Sequence, residues 1–173
     1  TTYPLSMGCW FRSNDSGVNQ ILMSTFELLG DDSDFFNLSA RGAVAGDPVR
    51  FNSSVLGTVS SANTSTQFLV NTWHHALGVG ASATDRKVYI DGGSSGVNTT
   101  SSTPTLISQT AIGGQPDTVP TIYMSGDIAE AAMWNVALTV ADALELARGY
   151  SPLLVRPEGL VAYWPMLGNN VGA

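Results

Sequence analysis

Two adjacent imidazoles are the first side chains with chemistry to offer, in Trp73-His74-His75. Histidine ligates metals and moves protons near neutral pH, so the pair invites a metal or acid–base role. Neighbouring residues of a strand project to opposite faces, however, and His74 and His75 therefore cannot hold one metal from the same side. No third group completes a catalytic set. Trp73 shares the His75 face, and both are expected as buried packing, together with Cys9 on the apolar side of Met7-Gly8-Cys9-Trp10-Phe11. The chain contains no G-x-S-x-G, no phosphate-binding glycine loop and no H-E-x-x-H. Its densest acidic stretch is Gly30-Asp31-Asp32-Ser33-Asp34. Hard oxygen ligands of that kind suit Ca2+, for which Asp32 and Asp34 are the expected pair and Asp127 a second candidate. The competing reading is a solvated acidic turn, since the full calcium-loop pattern of an EF-hand is missing.

The elements that must position these groups are short strands. Glycine contributes 18 residues and serine plus threonine about a fifth of the chain, spread throughout rather than gathered in a linker. β-prone runs are read at residues 5–12, 19–27, 34–41, 48–51, 55–61 and 66–70, separated by turn formers. A hairpin follows, 72–79 with 86–91, in which Val88 and Ile90 alternate with Lys87, Tyr89 and Asp91. Asp91-Gly92 then makes a turn tolerant of positive φ. Further strands are expected at 94–100, 105–112, 121–135 and 159–165. One helix is predicted, residues 139–148, with Thr139 as N-cap, Asp142 three residues on and Gly149 as the stop.

With 173 residues and 18.1 kDa, the chain is the size of one domain, residues 1–173. Seven basic against fourteen acidic residues leave a net charge of −7, which argues against a grip on nucleic acid. A composition 43% hydrophobic and only 12% charged is that of a folded chain. The single Cys9 excludes an internal disulfide, and no apolar run reaches the ~18 residues of a membrane span. N-x-S/T patterns begin at Asn14, Asn37, Asn52, Asn63 and Asn98, which chance supplies in so Ser/Thr-rich a chain.

Three stretches in order resemble the concanavalin A-like lectin/glucanase superfamily, in its laminin-G and pentraxin-like branch. They are Leu5 to Phe11 (LSMGCWF), Trp73-His74-His75 followed by Val88-Tyr89-Ile90-Asp91-Gly92, and Gly126-Asp127-Ile128-Ala129-Glu130 running into Trp134-Asn135 and Leu138-Thr139. The resemblance implies an all-β fold, a two-sheet antiparallel jelly-roll sandwich with one short C-terminal helix. The tail, Gly149 to Pro157 and Leu160 to Pro165, resembles a version common in tailed-phage and prophage structural proteins. Such relatives carry one more strand before the first motif and more chain after the last, so a missing N-terminal strand and further C-terminal chain are expected.

A glucanase of this superfamily would need carboxylates at alternating strand positions, of type E-x-D-x-x-E, aimed into one cleft about 5 Å apart. Asp127 and Glu130 are three apart, and Ser125 stands where a partner to Asp127 would be needed. No catalysis is therefore expected. A sugar site would pair an exposed aromatic ring with forked Asn or Asp side chains, and Tyr123, Asn98, Gln115 and Asp117 are the residues in or beside loops that could serve. Trp10, Trp73, Trp134 and Trp164 lie in strand-like runs and are expected in the core. Two functional classes follow. One is a structural component of a phage virion, in the capsid or tail, packed in symmetric copies against other virion proteins. The other is a lectin for cell-surface glycans, with Ca2+ as its cofactor if one is used; the net acidity disfavours anionic polysaccharides unless calcium bridges them. With no sugar-stacking residue prominent in the sequence, the structural class is preferred.

Overall fold

The computed structural model describes residues 3–27, 34–105, 107–115 and 122–166. Eleven strands among them form two antiparallel sheets. The first six are β1 (Leu5–Ser13), β2 (Asn19–Phe26), β3 (Phe35–Arg41), β4 (Pro48–Val55), β5 (Thr58–Gln67) and β6 (His74–Ser82). β7 (Asp85–Ile90), β8 (Gly93–Asn98), β9 (Gln109–Ile112), β10 (Gly126–Trp134) and β11 (Leu160–Trp164) complete the set. One sheet has the order β11-β10-β1-β6-β7-β8 and the other β5-β4-β3-β2-β9. This is the expected jelly-roll sandwich.

Alternation decides which side chains meet between the sheets. Met7, Cys9 and Phe11 of β1 and Val88 and Ile90 of β7 face Phe36, Leu38 and Ala40 of β3 and Val49 and Phe51 of β4. Burial pushes the Cys9 thiol up to about 12, so it stays protonated inside this layer. Gly78 of β6 lets the sheets approach: a Cβ there would lie 2.3 Å from the Phe51 ring. On the β5 and β8 side the sandwich is stitched, because Asn98 Nδ2 donates to the Ser61 carbonyl (3.1 Å).

The six-stranded sheet also buries its outer face. Leu77, Val79, Tyr89, Ala132 and Trp134 pack beneath Ala143 and Leu146 of α1 (Val140–Ala147), with Leu138 and Val155. The helix starts as the sequence predicts: the Thr139 hydroxyl accepts from the Asp142 N–H, and the Asp142 carboxylate accepts from the Thr139 N–H. Burial pushes the Asp142 carboxyl up, but the Thr139 N–H and hydroxyl and the Arg156 guanidinium outweigh it and hold its pKa below the usual value.

Two expectations are corrected. Residues 48–51, 55–61 and 66–70 form two strands, not three. Asn52-Ser53-Ser54 has the composition of a turn, yet the ladder to β3 runs through it (Asn37 with Asn52, Phe35 with Ser54), and the reversal falls at Leu56-Gly57, with φ of 48° and 76°. Trp73 is not buried. β6 begins at His74, so the alternation does not reach Trp73; the residue is 42% exposed and its ring lies against the Arg12 guanidinium, 5.6 Å from the centroid. Trp134 is buried, while Trp10 and Trp164 are half-buried.

Candidate functional site

The histidines and acids that drew attention in the sequence serve as ties. Asp91 closes the base of the β6–β7 hairpin: one carboxylate oxygen accepts from His74 Nδ1–H (2.7 Å), the other from the His75 N–H (2.9 Å). His74 Nε2 accepts from the Leu69 N–H, which fixes the tautomer. Burial raises the Asp91 carboxyl, and the His74 and His75 hydrogen bonds override it to give a net lowering. His75 sits edge-on to Trp10, with ring centroids 5.5 Å apart, and burial drives its pKa down to about 4 although the Asp91 charge opposes this. Asp127 pairs with Arg12 at 2.7 Å, and Glu130 accepts from the Tyr163 hydroxyl at 2.6 Å. The two acids are thus engaged separately and share no cleft.

The predicted ligand residues scatter. Asp34 is buried, and its carboxylate accepts from the Leu56 N–H (2.8 Å) and from the N–H and hydroxyl of Thr105 (2.7 and 3.1 Å). Asp32 and Asp117 lie outside the described residues. No group of three His, Cys, Asp or Glu stands ready for a metal among the described residues. Asn98 belongs to β8 of the six-stranded sheet, where its Oδ1 accepts from the buried Arg86 (2.6 Å) and its amide reaches Ser61. Tyr123 and Gln115 both lie on the β9–β10 connection, where Tyr123 is set against Gly114 rather than Gln115. The Tyr123 ring lies beside Gly114, whose carbonyl accepts from the Ser24 hydroxyl (3.3 Å), and the residue is 62% exposed.

That connection borders a surface built by strands rather than by loops. Since Phe36, Leu38, Ala40, Val49, Phe51 and Ala62 face the core, the alternate residues of β3, β4 and β5 face outward. They are Asn37, Ser39 and Arg41, then Arg50 and Asn52, then Ser61 and Asn63. The register sets Ser24, Asn37, Asn52 and Ser61 in one row and Ser39, Arg50 and Asn63 in the next, with Asn19 opposite Arg41. Asn52 Nδ2 donates to Asn37 Oδ1 (2.9 Å), and Arg50 Nε donates to Asn63 Oδ1 (2.6 Å). Exposure is graded among the described residues: Asn37 and Asn52 are 3% and 5% exposed, Arg41 and Arg50 half-buried, Asn63 and Tyr123 exposed. Partial burial lowers both arginine pKa values, and the Arg50 charge lowers that of Arg41 further. The signal was present in the sequence as N-x-S-x-R and R-x-N-x-S runs whose alternate residues are apolar or small.

Residues 1–143 match the family model described as the concanavalin A-like lectin/glucanases superfamily. The chain belongs to this superfamily. No curated protein sequence matches the chain. Solved structures agree on the fold. The native heptameric SAP-like pentraxin of Limulus polyphemus is 13% identical with a TM-score of 0.62, over 95% of this chain and 80% of that one. A carbohydrate binding protein of Bacteroides ovatus, so described provisionally, is 17% identical with a TM-score of 0.68, over 95% and 46%. The enzymatically active domain of tailspike protein 2 from bacteriophage CBA120 is 12% identical with a TM-score of 0.66, over 94% and 26%. At such identities the likeness is one of fold, and this chain spans less than half of the latter two proteins. Domains of this lectin-like kind are generally non-catalytic.

Proposed function

We propose that the domain is a non-catalytic adhesive module that holds a cell-surface glycan on the outer face of the five-stranded sheet. One observation carries this: on that face Asn37 and Asn52 lie buried and bonded to each other, with Asn63 exposed on β5 and Tyr123 exposed on the β9–β10 connection. Amide side chains fork hydrogen bonds to vicinal hydroxyls, and an exposed ring stacks on a pyranose. The setting proposed is a bacteriophage virion, displayed in several copies on capsid or tail, on the resemblance of the 149–165 tail.

A purely structural role in that particle has its own support, because Tyr150, Leu153, Leu154 and Val161 on that same tail are exposed. Apolar side chains there suit contact with a neighbouring virion protein.

A glycan array followed by calorimetry tests the adhesive role. Capture of one sugar class, weakened about tenfold or more by Tyr123→Ala, supports it. No capture by a folded protein, with density for the domain buried between virion subunits in a reconstruction, gives the structural role instead. Polysaccharide hydrolysis lost on Asp127→Asn or Glu130→Gln would overturn the non-catalytic assignment.

A further inference from the structure

Resting on that glycan-binding proposal, we infer that the sugar held on the five-stranded sheet is an acidic one, whose carboxylate is taken by Arg41 and Arg50. The chain carries seven basic residues against fourteen acidic, and a net charge of −7 alone would repel such a ligand. The charge is not evenly laid out. Arg41 and Arg50 come from neighbouring strands onto one face, and neither makes an ion pair with an acid among the described residues. Arg12, Lys87 and Arg156, by contrast, each have an acid within 4.0 Å. Holding two guanidinium groups side by side and half-desolvated without a counter-charge costs stability, and a bound anion removes that cost.

The hydrogen-bonding groups around them are also incomplete. Among the described residues, Arg41 Nε is buried without a partner, and so are Asn19 Oδ1, beside it in register, and Asn52 Oδ1, two residues along β4 from Arg50. Asn52 is itself more than nine-tenths buried. Buried polar atoms are paired in almost all folded proteins, so three orphans on one face mark a ligand's place. Arg50 is oriented by its Nε bond to Asn63 Oδ1, which leaves both Nη groups for a carboxylate. A planar guanidinium matches a carboxylate with two parallel bonds, whereas the unpaired amide oxygens accept from sugar hydroxyls. A uronic or sialic acid presents both features on one ring, and a neutral sugar leaves the arginines unsatisfied.

The test uses the whole chain and four probes: oligogalacturonate, its methyl ester, sialyllactose and lactose, titrated by calorimetry at low and at physiological salt. Expected is binding of an acid probe that falls about tenfold or more when the carboxylate is esterified or absent. Arg41→Gln and Arg50→Gln should each weaken it by about the same factor, and Arg50→Lys should not restore it, because an ammonium lacks the fork. Both arginines are half-exposed, and thermal melting no lower than that of the parent shows the variants fold. Equal binding of lactose and sialyllactose, unmoved by either glutamine variant, would overturn the acidic assignment and leave the glycan site standing. Binding of no probe, and of no sugar on the array, would remove both.

Discussion

On its outer side the six-stranded sheet carries Leu77, Val79, Tyr89 and Trp134 beneath α1, while the five-stranded sheet carries asparagines and arginines with no helix over it among the described residues. Both sheets share the inner core, so the difference lies only in what the alternate positions hold. The second apolar layer adds stability on one side, at roughly 25 cal/mol per Å2 of apolar surface buried. That surplus permits unpaired polar atoms on the other side, where each costs about 1–3 kcal/mol. One outer face supports the fold and the other keeps unmet bonding capacity for contact.

The largest effect on the α1-covered face is expected at Trp134. Its ring is buried and its Nε1–H donates to the Val155 carbonyl (2.9 Å), so Trp134→Ala should cost about 3–5 kcal/mol by urea denaturation and loosen the α1 side first. Acid acts on the same sheet. His75 has a folded pKa of about 4 against 6.5 in the unfolded chain, so the unfolded chain binds more protons between those values. Stability is therefore full above pH 6.5 and falls as the pH drops to about 4, by an amount on the order of a few kcal/mol; His75→Gln should flatten that part of a melting-temperature profile. Asp142 adds a smaller loss at lower pH, because its pKa is held below the usual value and its contribution disappears as the pH falls through it. Removing this cap with Asp142→Ala should cost about 0.5–2 kcal/mol, read by thermal melting at neutral pH. The smallest effect is expected on the opposite face and has the other sign: Arg41→Gln should raise stability, by on the order of 1 kcal/mol or less, since it removes a like-charge contact and an unpaired buried Nε. A large loss there would mean that the five-stranded face is structural after all.

Much of this was legible because the sandwich obeys a period of two. Val88 and Ile90 alternate with Lys87 and Tyr89 in the sequence and stand so in β7, and the Thr139 and Asp142 spacing foretold the helix start. The site was less legible. Arg41 and Arg50 meet only because a hairpin folds β4 back along β3 in a register that no single-strand pattern states. Asn98 has the composition of a loop ligand, but it lies opposite the buried Arg86 and is consumed by it. Trp73 was misplaced because alternation was carried one residue past the start of the ladder.

The stitch between β5 and β8 sets where the sandwich can part. Along that spine Asn98 bridges to Ser61, and the Arg86 guanidinium is gripped by Asn98 and the Thr100 carbonyl. At the opposite margin β9 is only four residues long, and a cavity of about 320 Å3 opens among Leu5, Thr25, Phe36, Thr110 and Met133, with the Thr25 hydroxyl unpaired. A molecule built this way opens like a bound volume, from its fore-edge. Amide hydrogen exchange should therefore run faster through β9 at that margin than through β7, which is paired on both sides and lies next to the β5–β8 stitch.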